Sequence, residues 1–208
     1  MPSFKVADLD PNTQYKLLTG TVTPRPIALV TTLGTSGPNA APFSFFNVLG
    51  SDPMMIMFSS GPRDGAAKDT LANIRECPEF VVHIVSYAIK DKMNVCATDY
   101  PIGVNEIAEA GFTQLPSSLV RPPRIAEAPI AMECKLIKSV EVGNKPHTLI
   151  IGQIVYLHYH EGIVNERFHI DLGKVDPIGR MAGAGGYVRA TDRFEMPRIK
   201  YEGTRSGG

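Results

Sequence analysis

Cysteine is scarce in this chain: Cys77, Cys96 and Cys134 are the only three in 208 residues. An odd number of widely spaced thiols, none in a CxxC pair, argues against a disulfide framework and against a structural zinc site. They are expected to be reduced and mostly buried. An excess of one charge is missing too. Twenty-one basic residues balance twenty-one acidic ones, for a formal net charge of +0, and no run of like charge occurs. Nucleic acid and anionic membrane surfaces are therefore disfavoured as partners, and any bound anion must be gripped locally. No apolar stretch is long enough to cross a bilayer, and residues 1–10 mix charged and apolar side chains, so a soluble, cytoplasmic protein is expected. Internal repeats and low-complexity segments are absent.

What is present suits one globular domain over 1–208, with a core from about 19 to 190 and a polar tail from Pro197; 43% of the residues are hydrophobic, enough for a substantial core. Residues 27–33 (IALVTTL) read as a strand and 34–39 as a turn. A returning strand, 40–47 (AAPFSFFN), and a third, 54–58 (MMIMF), after a break at 50–53, predict three neighbouring strands of a meander. A short helix is expected over 68–76, where Leu71 and Ile74 are three apart and Pro78 follows. Residues 80–85 read as a strand, 87–98 and 105–110 as helical. Two long runs, 130–142 and 148–160, have the length of curved barrel strands. The glycine-rich 179–187 is expected to be a loop. Together these favour a mostly β fold with flanking helices, an antiparallel barrel rather than a βαβ sheet.

Chemistry concentrates between Thr23 and Thr70. Asp69 and Thr70 stand at a helix start, whose free N–H groups and positive dipole end favour a phosphate, with Arg63 and Lys68 on the approaching loop. Ser59 and Ser60 add hydroxyl donors. The same residues also fit a plainer reading, in which Asp69 caps the helix, Lys68 and Arg63 are solvated, and the serines end a strand. Pro42, inside an apparent strand, argues for an edge or a bulge with backbone groups free for a ligand. A planar ring with an amide edge suits such a site.

Three blocks, Thr23-Pro24-Arg25-Pro26-Ile27-Ala28-Leu29-Val30, Ala41-Pro42-Phe43-Ser44-Phe45-Phe46-Asn47 and Lys68-Asp69-Thr70-Leu71-Ala72-Asn73-Ile74, resemble the flavin-reductase-like, FMN-binding split-barrel family. The similarity runs from about Thr19 to Arg189. It implies a Greek-key-like antiparallel split barrel, FMN as cofactor, and a homodimer with FMN at the subunit interface. Position by position, it places Ser44 and Asn47 beside the flavin, Ser59, Arg63, Lys68 and Thr70 around its phosphate, Asp69 at the helix start, and Arg25 near the ring. It implies that 183–187 closes the substrate side, with Tyr187 as a stacking or hydrogen-bonding group and Arg180 as a further candidate. The implied activity is an NAD(P)H-dependent flavin reductase that passes electrons to free flavin, a partner oxygenase or a small acceptor. The alternatives are an FMN-binding electron carrier or sensor that meets a protein partner, and a related barrel holding haem. No side chain is nominated as catalytic, because the bond-making power belongs to the cofactor. Arg25 or a strand N–H near the N1–C2 carbonyl edge would stabilise the reduced ring.

Other signals compete. His158 and His160 share one strand face, a possible metal arrangement with His169 or His147, or else partly buried strand histidines with satisfied hydrogen bonds. His83, alone in an apolar strand, reads as structural. The glycines of 183–186 lack the GxGxxG spacing of a dinucleotide fold, so a nicotinamide donor would dock transiently over the flavin. The methionines of 54–57 read as core, and a catalytic thiol is not favoured.

Overall fold

A computed structural model describes residues 1–61, 68–183 and 185–199. The chain opens with a helix that the sequence reading left out, α1 (Pro11–Thr21). Its start signal is local: the Asp10 carboxylate accepts the N–H groups of Asn12 and Thr13, and Pro11 occupies the first turn, where its missing N–H costs nothing. Its apolar residues do not form a stripe; Tyr15, Leu17 and Leu18 are all exposed, so no helical period marks it. Then come β1 (Arg25–Pro26), β2 (Ala28–Gly34), β3 (Gly37–Phe43), β4 (Phe46–Ser51) and β5 (Met54–Ser60). The expected single strand over 40–47 is therefore two, broken at Ser44-Phe45.

The short helix is α2 (Asp69–Glu76), followed by β6 (Glu79–Ile84). The helical stretch expected over 87–98 divides into a 3-10 turn (Tyr87–Ile89) and α3 (Lys90–Val95), and α4 (Glu106–Glu109) follows, capped by the Asn105 side chain. A two-residue pair, β7 (Gln114–Leu115) and β8 (Arg124–Ile125), brackets a loop. The long strands are β9 (Ile130–Val142) and β10 (His147–Tyr159), within a residue of their expected bounds. The chain closes with α5 (Leu172–Val175), β11 (Ile178–Met181) and β12 (Gly186–Arg189). The last two correct the loop expected over 179–187: they pair as a hairpin, with β1 on the other side of β11. Gly179 serves close approach there, since a Cβ would lie 3.1 Å from the Pro24 Cβ and 3.3 Å from the Arg25 carbonyl oxygen.

The main sheet runs β3-β2-β6-β9-β10-β5-β4, antiparallel throughout. This corrects the expected meander: the β2–β3 and β4–β5 hairpins sit at opposite edges of the sheet. Yet β3 and β4 are separated in the chain by Ser44 and Phe45 alone, so the sheet must curl until its edges meet. The result is a barrel split along one seam; at the corner the Ser59 N–H donates to the Phe45 carbonyl at 2.8 Å, continuing the β4–β5 ladder one residue past β4. Pro42 lies on edge strand β3, opposite Leu29, where a lost N–H breaks no ladder bond.

The barrel interior is filled by Phe43, Phe58, Phe80, Val82, Ile150 and their neighbours, with Phe58 tilted against Phe43 (4.8 Å) and edge-on to Phe80 (5.5 Å). A second cluster, including Leu29, Ile89, Met93, Ile107 and Ile125, packs under the flanking helices, so β2 is apolar on both faces. Cys77, Cys96 and Cys134 are free and buried; burial pushes the Cys96 thiol up to about 12 and raises the other two. His83 of β6, His158 of β10 and His160 just beyond it go to separate partners. His83 accepts the Ile125 N–H at 2.9 Å and contacts the Leu29 carbonyl at 3.0 Å; His158 lies 2.6 Å from Glu133, and His160 2.8 Å from the Ala126 carbonyl. Among the described residues no helix is long and apolar enough to cross a membrane.

Candidate functional site

The kink that splits the barrel also opens a cleft. Ser44, Phe45 and Asn47, at the turn from β3 into β4, face Ser59 and Met57 of β5, Leu149 of β10 and Arg25 of β1 across a cavity of about 360 Å³, within the range of small-ligand sites. Its walls are largely apolar, with a few polar groups at the seam. Arg25 is 6% exposed. Its Nη1 donates to the Thr19 and Val22 carbonyls at 2.6 and 2.7 Å, its Nη2 to the Ala182 carbonyl at 2.9 Å, and the guanidinium lies 5.8 Å over the Phe45 ring. These bonds brace α1 and the β11–β12 turn against the barrel. They neutralise no charge: among the described residues no carboxylate pairs with Arg25, and its buried Nε has no partner. A desolvated cation satisfied by neutral carbonyls favours electron-rich atoms beside it.

Ser59 Oγ lies 3.3 Å from His147 Nδ1, and the His147 ring stacks on Phe45 at 6.1 Å and 21°. The next serine, Ser60, is buried with its hydroxyl unpartnered among the described residues. Arg63 lies outside the described residues.

A second cavity, about 420 Å³, sits at the start of α2, lined by Pro42, Lys68, Asp69, Thr70, Glu106 and Arg180 among others. Lys68, not Asp69, is the N-cap; it has extended backbone angles and gives no side-chain cap, so the capping role read for Asp69 is corrected. The helix start thus keeps backbone N–H donors uncovered by a side chain. The Lys68 ammonium lies 5.7 Å over the Phe43 ring. Behind it, Thr70 Oγ1 donates to Asn39 Oδ1 at 3.0 Å, Asn39 Nδ2 donates to Glu106 at 2.9 Å, and the other Glu106 oxygen accepts the Ala40 N–H at 3.3 Å. Burial, and then the nearby charge of Asp69, raise the Glu106 carboxyl above the usual range. A fixed polar chain therefore holds the first turn of α2 against β3.

Tyr187 stands elsewhere. It pairs across the hairpin with Arg180, whose guanidinium lies 4.7 Å over the ring, and it lines a third cavity of about 580 Å³. Arg25, Ser44, Asn47 and Ser59 are thus brought together; Lys68, Asp69, Thr70 and Arg180 form a second group; Tyr187 joins neither, though Arg180 borders its cavity. Sequence reasoning missed Phe45, which lies inside the Ala41–Asn47 block without a role, and weighed His147 only as a possible third metal ligand. Asn39 and Glu106 are 67 residues apart in the chain, and nothing local links them.

Comparison with known proteins follows the same lines. The family model described as "Flavin reductase like domain" matches residues 20–174. A protein of Deinococcus radiodurans carrying no assigned function is 40% identical over 206 residues, covering 95% of this chain and 90% of its own. Among solved structures, nitrilotriacetate monooxygenase component B from Bacillus cereus superposes with a TM-score of 0.90 at 35% identity, covering 94% of this chain and 98% of the other. The Pseudomonas fluorescens 2-nitrobenzoate 2-nitroreductase NbaA superposes at 0.88, also at 35% identity, covering 98% and 100%.

Proposed function

Because the chain belongs to the flavin-reductase-like family of FMN-binding split barrels, we propose that it is an FMN-dependent oxidoreductase that takes hydride from NADH or NADPH and passes electrons to free flavin, an oxygenase partner or a small organic acceptor. The observation that carries this reading is the cleft at the barrel seam, where the buried, carboxylate-free Arg25 and the Ser44-Phe45 kink border largely apolar walls. The residues fit FMN. Phe45, Met57 and Leu149 offer faces for the ring, and Ser44, Asn47 and the edge-strand backbone offer partners for its amide rim. The dianionic tail would lie toward Ser59, Ser60, Lys68 and the uncapped first turn of α2, with Arg63 on the connecting segment. The unpartnered Ser60 hydroxyl and the side-chain-free helix start support that direction.

When bound, FMN supplies reversible hydride and single-electron chemistry. The protein's residues bind it and set its electronics: Arg25 contributes positive potential at the seam, and Phe45, backed by His147, contributes a rigid stacking surface. The buried Glu106–Asn39–Thr70 chain keeps the helix start in place. None of these groups is required to move a proton.

The names of the two solved relatives, a monooxygenase component and a nitroreductase, support the oxidoreductase class and make an oxygenase partner or a nitroaromatic acceptor reasonable. A homodimer is part of this proposal. Edge strand β4 presents Val48, 74% exposed, and Leu49, with Met54 of β5 alongside, beside an apolar groove of about 700 Å³, a surface suited to a second copy. A cytoplasmic location accords with three buried, unpaired thiols.

The test is anaerobic stopped-flow mixing of FMN-loaded protein with NADH and with NADPH. Rapid bleaching of flavin absorbance by at least one donor is expected; negligible bleaching by both contradicts the reductase reading.

A further inference from the structure

We propose that the cavity between Tyr87 and Tyr187 is a docking site for an adenosine phosphate, the adenylate half of the nicotinamide donor. This rests on the oxidoreductase reading above and names where that donor is held. The cavity, about 580 Å³, is larger than a single-ring acid needs and suits a nucleotide. Its two aromatic rings are backed by cations: Lys90 Nζ and the Arg189 guanidinium each lie 4.4 Å from the Tyr87 ring centre, and Arg180 lies 4.7 Å from that of Tyr187. Tyr187, which carries a single cation, and the guanidinium planes are flat surfaces for a purine, and the same cations can hold phosphate.

The charges are only partly spent. Lys90 pairs with Asp91 at 2.9 Å on the surface, and two of the three Arg189 nitrogens go to Asp176 at 2.7 Å each. Arg180 has no carboxylate partner among the described residues; its Nη2 donates to the Gly183 carbonyl at 3.0 Å. In a chain of zero net charge this leaves a local positive excess. Asn94 adds an amide suited to a base edge.

Arg180 fixes where the site leads. It borders both this cavity and the one at the start of α2, so a ligand stacked on Tyr187 adjoins the proposed cofactor-phosphate region. The chain has no GxGxxG turn to seat a dinucleotide in the usual way, so the adenylate end of a hydride donor needs another seat within reach of the flavin. Tyr187, which the family resemblance put on the substrate side, is thereby assigned to the donor.

The experiment is calorimetric titration of the FMN-loaded protein with adenosine 5′-phosphate, and in parallel with benzoate as a one-ring anion, for the wild type, Lys90→Glu and Lys90→Gln. Lys90 lies outside the cofactor groups named above, so FMN affinity should be unchanged in both variants. Saturable adenosine 5′-phosphate binding is expected, weakened by about tenfold or more in Lys90→Glu and less in Lys90→Gln. The KM for the effective nicotinamide donor should rise in parallel, with kcat retained. No saturable nucleotide binding, nucleotide binding indifferent to Lys90→Glu, or benzoate binding without nucleotide binding would each overturn the proposal. A protein that takes up no FMN sinks the preceding reading instead, and the same titration of the flavin-free protein still decides the cavity.

Discussion

Arg25 illustrates how one side chain serves fold and site together. Three backbone carbonyls from two separate segments converge on its guanidinium, so Arg25→Gln would strand acceptors from both α1 and the β11–β12 turn. A loss of about 2–3 kcal/mol in urea unfolding is expected, the scale of breaking a buried, charge-bearing hydrogen-bond cluster; a loss below about 0.5 kcal/mol would mean the brace is idle. His83 supports a pH prediction. Full burial pushes its imidazole down to about 4 from an ordinary 6.5, which keeps it neutral and able to accept the Ile125 N–H. Between those two values the unfolded chain binds a proton that the native one refuses. Stability is therefore complete above about pH 6.5 and falls by roughly 3 kcal/mol as pH drops to about 4. Glu133 acts in the same direction at lower pH: burial raises its carboxyl, but the Ser118 N–H, His158 and the Leu119 N–H together hold it below 4.5. Urea unfolding at pH 7.5 and pH 4.5 checks this, and His83→Gln should flatten most of the difference. Equal wild-type stability at the two pH values would contradict it.

At the scale of elements, legibility followed how local the cause was. Strands β9 and β10 were readable because their β-branched and aliphatic runs are long and turn signals separate them. The β3–β4 break was not, because Ser44-Phe45 looks apolar enough to continue a strand, and only closure of the barrel demands a corner there. The glycines before Tyr187 read as a loop, whereas Gly179 is a strand residue made small by β1 lying against it. Gly152 is a comparable case on β10, next to a shift in register with β9. A Cβ at that position would collide with the Phe80 ring in the barrel interior. Gly152→Ala should therefore destabilise the protein by about 1–3 kcal/mol despite the better strand propensity of alanine, lowering the thermal midpoint without changing the far-UV spectrum. An unchanged midpoint would show that the ring moves aside freely.

Over the whole molecule, the barrel's split gives the cleft its place, since edges that meet without pairing leave backbone groups and a kink where a closed ladder would leave none. The grouping of Lys68, Asp69 and Thr70 at one helix start was legible from a helix-start pattern beside a cation, whereas Ser59 lines the seam cleft instead. The support of that helix start, from Asn39 and Glu106, was not legible, because those contacts exist only once α4 packs on β3. The exposed β4 face makes a further expectation: Val48→Lys should shift the protein toward monomer in analytical ultracentrifugation. An unaltered sedimentation coefficient would place any self-association elsewhere. What most directly tests the phosphate grip is a paired equilibrium titration with FMN and riboflavin, which differ only by that group, on wild type and Lys68→Ala. FMN should bind the wild type at least about a hundredfold more tightly than riboflavin, and Lys68→Ala should narrow that gap by about tenfold while leaving riboflavin affinity unchanged. Equal affinity of the wild type for the two flavins would contradict the assignment of the α2 start as the phosphate site.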